Sequence, residues 1–183
     1  MTILHIDSSI NGENSASRAI SRSIVGQLRA SDPVSQLVAR DLVSEPLPHL
    51  TLDAFADTSV LDEFLSADAV VIGAPMYNFT LPTQLKAWLD RILVAGRTFR
   101  YTESGPEGLA GGKRVIVALA RGGFYDAGSP ASALEHLETY LRGVFNFIGI
   151  EPEFVAADGL AVSTEQRDES IRLALGETVR LAA

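Results

Sequence analysis

Two hydrophobic patterns take turns along this chain. Short runs dominated by apolar residues occupy residues 2–7, 35–42, 69–74, 113–119 and 152–157. Runs this short and rich in Val and Ile suit strands covered on both faces rather than helices. Residues 17–28, 60–65, 82–93, 131–147 and 165–181 read instead as helices. Ile20, Ile24, Val25 and Leu28, or Leu85, Trp88, Leu89, Ile92 and Leu93, recur at helical spacing, and Pro82 fits a first-turn position. Five strand–helix alternations predict one α/β domain over residues 1–183, a three-layer, doubly wound, five-stranded parallel sheet of order 2-1-3-4-5. In that order strands 1 and 3 flank the switch point, so the loops after residues 7 and 74 face one crevice, and the loop after residue 119 lies on its far side.

Composition narrows the picture mainly by exclusion. With 183 residues, 46% apolar and 21% charged, the chain has enough material for one substantial core, and no apolar run reaches membrane-spanning length. The first residues lack the basic and long apolar regions of a signal peptide, so a cytoplasmic location is expected. The sequon Asn78-Phe79-Thr80 is then coincidental. The absence of cysteine removes disulfides, thiolate nucleophiles, iron–sulfur clusters and cysteine zinc sites. A net charge of -8 without a basic run argues against nucleic acid as a partner.

The candidate chemistry lies in three loops. Residues 8–17 are rich in serine and amide side chains and run into a helix N-terminus. Such a loop binds a single phosphate through hydroxyls, backbone N–H groups and the helix dipole, or is a solvated connection capped by Ser15 or Ser17. It lacks the glycines of a dinucleotide fingerprint and the lysine of a Walker loop. Residues 76–80 put Met76, Tyr77, Asn78 and Phe79 at the carboxyl end of the central strand, where they contact a ligand or plug the core. Gly122 and Gly123 end the fourth strand, as a close approach for a flat ligand or as a plain glycine turn. His5, His49 and His136 have no interpretable spacing, and His5 reads as a hydrogen-bonded structural residue. The stretch 108–113 fails as a phosphate loop because it precedes a strand, and residues 105–108 read as loop.

These residues resemble a known family, the FMN-dependent, NADH-using azoreductases, also described as quinone reductases, whose fold is flavodoxin-like. The resemblance rests on Ser8-Ser9 with Ser15-Ala16-Ser17, on Ala74-Pro75-Met76-Tyr77-Asn78-Phe79, on Leu85-Lys86, on Thr98-Phe99-Arg100-Tyr101-Thr102-Glu103 followed by Gly105-Pro106-Glu107-Gly108-Leu109, and on Arg121-Gly122-Gly123. It extends through Phe147-Ile148-Gly149-Ile150. It implies that Ser9, Ser15, Ala16 and Ser17 hold the FMN phosphate and that Met76, Tyr77, Asn78 and Phe79 run along the ribityl chain and isoalloxazine. Ala120, Arg121, Gly122 and Gly123 would meet the pyrimidine end of the ring. Phe79, Tyr101 and Phe147 would line the substrate side of a homodimer whose active sites sit at the interface. Two departures stand out. Ala120 replaces a frequent serine, removing a hydroxyl but no backbone donor, and the connection from residue 42 to 66 is short for the family, which bears on substrate preference.

The implied chemistry suits a chain without cysteine or a histidine cluster, because the flavin carries the electrons and no side chain need be a catalyst. Hydride from NADH would pass through FMN to a quinone, or to an azo compound cleaved to aromatic amines, by a ping-pong scheme. A flavodoxin-type FMN electron carrier without direct NADH oxidation is the alternative. A serine hydrolase lacks its nucleophile elbow, and a phosphoacceptor receiver lacks an aspartate where Ala74-Pro75 ends the third strand. Arg18, Arg97, Arg100 and Arg121 are equal candidates for a cofactor phosphate.

Overall fold

A computed structural model describes residues 1–182. Its central sheet contains β1 (Thr2–Asp7), β2 (Gln36–Asp41), β3 (Ala69–Pro75), β6 (Arg114–Ala120) and β7 (Glu153–Ala157), all parallel, in the order β2-β1-β3-β6-β7. This is the flavodoxin-like order expected from the alternation of elements. The strands are joined by α1 (Ala16–Ser31), α2 (Ser59–Ser66), α3 (Thr83–Ile92) and α4 (Glu138–Phe147), and α5 (Thr164–Thr178) follows the last of them.

Side chains alternate across each strand, which divides the core in two. Leu4, Ile6, Val70, Ile72, Val115 and Val117 pack under α2, α3 and α4 with Phe64, Trp88 and Phe145. Ile3, Val71, Ile116, Ala118 and Val155 face Ile20, Ile24 and Leu28 of α1 and Ala174 of α5. β3 is buried along its whole length, so its carboxyl end is fixed and the turn beyond it is held from below. Trp88 is fully buried, meets Phe64 edge-on at 5.9 Å, and its indole N–H has no acceptor among the described residues. No helix among the described residues is long and apolar enough to cross a membrane.

Three local expectations need correction. Residues 105–108 are a strand, β5 (Gly105–Gly108), which pairs antiparallel with β4 (Phe99–Thr102) in a separate hairpin. Pro82 is the cap residue before α3, at φ -59° and ψ 146°, because its backbone is still extended. Residues 131–147 are one short 3₁₀ turn (Ser132–Leu134), a break, and then α4. The break is held by Glu135, whose carboxylate accepts from the amides of Leu137 at 3.0 Å, Glu138 at 2.8 Å and Thr139 at 2.9 Å. Those donors would otherwise be orphaned at the helix start. Burial alone would raise the Glu135 pKa, but the backbone donors of Thr139, Glu138 and Leu137 and the Thr139 hydroxyl prevail and hold it below the ordinary value.

A carboxyl with a depressed folded pKa contributes stability that is complete above the unfolded value and is lost as pH falls through the folded one. Glu135→Ala is therefore expected to cost about 1–2 kcal/mol at pH 7. The gap from wild type should narrow as pH drops below about 4.5. Urea unfolding at several pH values checks both statements.

Candidate active site

β1 and β3 are neighbours, so the loops at their carboxyl ends meet. Ser8 donates its hydroxyl to the Gly73 carbonyl at 2.7 Å. The Tyr77 hydroxyl lies 3.2 Å from Ser9 Oγ and accepts the Ile10 amide at 3.1 Å, latching the turn after β3 to the serine loop. Ser15 caps α1 by accepting the Arg18 amide at 3.3 Å, and its hydroxyl lies 3.1 Å from that of the fully buried Ser17. The capping reading of the loop is therefore correct for Ser15. It does not close the loop to a ligand, because the first amides of a helix have no intrahelical acceptor.

The turn itself is a tight two-residue reversal. Tyr77 and Thr80 exchange backbone hydrogen bonds of 2.9 and 3.2 Å, and Asn78 and Phe79 between them lie at φ 48° and 73°. Positive φ at both central positions defines a type I′ turn, which asparagine tolerates and phenylalanine does not adopt unaided. The strain is fixed from outside. The Phe79 carbonyl accepts the His136 amide at 3.1 Å, and Thr80 donates its hydroxyl to the His136 carbonyl at 3.2 Å. Phe79 is left 43% exposed with its ring edge-on to Tyr125.

A cleft of about 230 Å³ opens between these loops, lined by Ser9, Ser15, Ala16, Met76, Tyr77, Ala120 and Gly122 among the expected residues. A neighbouring recess of about 610 Å³ shares Met76 and Tyr77 and adds Asn78. Ser17 lies behind the first cleft with its hydroxyl turned to Ser15. The Ala120 carbonyl accepts the Met76 amide at 2.8 Å, which ties the third loop to the second, and the Gly123 carbonyl accepts the Gly159 amide at 3.0 Å, which ties it to the loop after β7. Asn11, Asn14, Leu160, Ala161 and Arg167 also line the cleft. Asn11 and Asn14 belong to the polar 8–17 loop, whereas Leu160, Ala161 and Arg167 stand in no recognisable motif.

Other expected residues fall elsewhere. The Arg121 side chain turns away from the cleft into a carboxylate cage, with bonds to Asp158 of 2.6 and 2.8 Å and to Glu138 of 3.3 Å. Burial would lower its pKa, but Asp158 and the neighbouring glutamates hold it above its usual value. Its backbone is what adjoins the cleft, its carbonyl accepting the Leu160 amide. Arg18, Arg97 and Arg100 are likewise paired, with Asp41, Asp62 and Glu107. His5 bonds Ser21 at 2.9 Å, as a structural histidine would. Lys113 donates to the carbonyls of Leu65 and Ala67 at the end of α2. Tyr101, 75% exposed, and Phe147 gather with Phe99, whose ring centroid is 5.6 Å from Tyr101 and 4.6 Å from Phe147. The short 42–66 connection borders a separate small recess with Leu50, Phe55, Leu61 and Arg91, and no lining residue is shared with the cleft.

Known proteins place this arrangement in context. The model of a family described by its flavodoxin-like fold matches residues 1–181. Over 201 residues the chain is 53% identical to an FMN-dependent NADH:quinone oxidoreductase 2 of Bradyrhizobium diazoefficiens, both chains being covered in full. Identity to an FMN-dependent NADH:quinone oxidoreductase of Sinorhizobium fredii is 50%, again with full coverage of both. Among solved structures, an azoreductase of Bacillus anthracis superposes with a TM-score of 0.91 at 28% identity, covering 100% of this chain and 98% of that one. An FMN-dependent NADH-azoreductase of the same species, in complex with FMN, gives 0.85 at 26% identity with full coverage of both. The crevice at the switch point, the latched turn and these relationships together show that the chain belongs to the flavodoxin-like family of FMN-dependent NADH:quinone oxidoreductases.

Proposed function

We propose that this protein, one FMN-binding domain over residues 1–183, is an FMN-dependent NADH:quinone oxidoreductase. We further propose that it cleaves azo compounds to aromatic amines and acts as a cytoplasmic homodimer with ping-pong kinetics. One observation carries the reading beyond the family resemblance. In a chain of net charge -8, the described residues lining the switch-point cleft include no carboxylate. That is the environment a phosphomonoester dianion needs.

The residues present fit the cofactor. Ser9, Ser15, Ala16 and Ser17 supply hydroxyls and first-turn amides for the phosphate, and Met76, Tyr77, Asn78 and Phe79 a wall for the ribityl chain and ring. When bound, FMN would supply the two-electron chemistry that the side chains lack, one hydride equivalent from NADH with one solvent proton for a quinone, or two of each over two rounds for an azo bond cleaved to two amines. Amides of Gly122 and Gly123, beside Ala120 and Arg121, donate to negative charge that develops nearby. Tyr77 holds the wall to the phosphate loop. Phe79 presents a flat apolar face to flat acceptors, for which stacking gives affinity with little discrimination. Tyr101 and Phe147 form an aromatic group with Phe99, while Phe79 pairs with Tyr125, and both groups would offer apolar surface on the substrate side.

Anaerobic titration of the purified protein with NADH, after identification of the released chromophore, tests the proposal. Stoichiometric bleaching of the flavin absorbance, reversed by a quinone, is the expected result. Flavin left oxidised by NADH would favour an electron carrier, and no flavin affinity would overturn the reading. Parallel double-reciprocal lines are expected for the alternating scheme, whereas intersecting ones would exclude it. Phe79→Gly should leave stability within about 1 kcal/mol of wild type, since relief of the positive φ offsets the lost ring contact. The same change should raise KM for quinones, so thermal melts beside acceptor kinetics separate the two effects.

A further inference from the structure

The phosphate end of the cleft holds one cation that neither the serine motif nor the family pattern points to. We propose that Arg167, on α5, is the positively charged partner of the FMN phosphate. The inference rests on the proposed function and adds to it a residue from the opposite end of the chain.

Arg167 lies at the fourth position of α5, and helical side chains lean toward their own N-terminus, which carries this one toward the cleft. It lines the cleft beside Ser9, Asn14, Ser15 and Ala16. Its Nη2 donates to the Asn14 carbonyl at 2.7 Å, which orients the guanidinium against the serine loop. A guanidinium has five N–H donors, so one such bond leaves the others for a second acceptor.

Charge bookkeeping isolates this residue. The other cations beside the loop are spent on carboxylates, Arg18 on Asp41 and Asp7, Arg22 on Glu13, and Arg121 on Asp158. Arg167 has no carboxylate within ion-pair distance among the described residues, and it is the only cation on the described lining of the cleft. The dipole of α1 provides only about half a unit charge at its N-terminus, against a phosphate dianion. A residue that served only to tie α5 to the loop would need the carbonyl contact and no more. Absence of a counter-ion in a net-acidic protein is the feature that a tie leaves unexplained.

The test compares FMN with riboflavin, which differ by the phosphate, using flavin fluorescence quenching on the flavin-stripped full chain. Arg167→Gln is expected to weaken FMN binding by roughly 10- to 100-fold and to leave riboflavin binding within about twofold. Arg167→Lys should restore much of the FMN affinity, and the wild-type preference for FMN should shrink with added salt. Equal weakening of both flavins would assign Arg167 to loop structure and overturn the inference, as would no change in either. NADH also carries phosphates. A loss confined to the KM for NADH would therefore move Arg167 to the dinucleotide and overturn the inference as well. Wild-type protein that binds neither flavin would overturn the proposed function itself, whereas an Arg167 result that fails on a flavin-binding wild type overturns this inference alone.

Discussion

Gly108→Ala is expected to destabilise the protein by about 3 kcal/mol or more, lowering the melting temperature by about 6 °C or more. Gly108 ends β5 against the turn that follows α4, and a β-carbon there would collide with the backbone of Ile148 and Gly149. Neither side yields easily. The Ala110 amide donates to the Ile148 carbonyl at 2.9 Å and the Leu109 amide to the Thr98 carbonyl at 2.8 Å, while Gly149, at φ 89°, turns the chain from α4 toward β7. The substituted hairpin must lift away, and the tilted contact between its Phe99 and Phe147 of α4 parts. Hydrogen exchange at Leu109 and Ala110, read beside the melting curve, distinguishes hairpin release from global loosening. Wild-type melting with wild-type protection would show that this junction is far softer than its geometry implies.

The second large effect is expected at Arg18. This residue, 7% exposed, forms a two-pronged pair with Asp41 at 2.8 Å for each bond, reaches Asp7 at 3.4 Å, and donates to the Ser9 carbonyl at 2.9 and 3.2 Å. It joins the ends of β1 and β2 to the serine loop and α1. Arg18→Met removes all of this while leaving the buried Asp7 and the part-exposed Asp41 in place, and because solvent screens Asp41 the loss is expected at the low end for a broken buried pair, about 3 kcal/mol. Because the Ser9 carbonyl loses its anchor, flavin affinity should fall with stability. The pH dependence has a definite sign. Hydrogen bonding from Arg18 outweighs burial and, helped by the Val43 amide, holds the Asp41 carboxyl below its ordinary value. Its contribution is therefore complete above about pH 4 and is lost as pH falls through the lower folded value. Wild type should lose stability as pH falls below about 4 that Arg18→Met lacks from the outset. Chemical denaturation across that range would decide it, and parallel profiles would contradict the assignment.

Most of the sheet could be read from local pattern because each parallel strand is buried on both faces. Val70, Val71 and Ile72 have apolar neighbours on either side, and no other environment suits such a run. The hairpin obeyed no such rule. Arg100, Tyr101 and Thr102 are exposed, and Gly105 and Pro106 are poor strand residues, so its form comes from docking against the end of α4 rather than from its own sequence. The start of α4 was hidden for a related reason. Glu135 is an unusual cap, and its role depends on three amides that converge only once the helix has turned.

Legibility of the cleft divides in the same way. The serine loop and the Met76–Phe79 turn are local segments, so residue type and position at strand ends pointed to them. Arg121 looked equivalent to any cation near that crevice until Asp158, distant in sequence, claimed its side chain. Arg167 stands in the terminal helix outside any motif, and only folding brings it beside Asn14. Which arginine is free and which is spent is a property of pairings across the chain, and periodicity carries no record of them.

Trp88 gives the molecule an optical property of its own. It is the only tryptophan in the chain, sealed between Phe64 and the sheet with its N–H unbonded among the described residues, so its emission arises from one dry, uniform environment. α3, which carries it, begins just beyond the turn whose residues wall the cleft. An isoalloxazine absorbs where a shielded indole emits, and a chromophore seated at that turn drains the excited state by resonance transfer. Occupancy of the crevice is thereby written into the ultraviolet glow of a residue that never touches it.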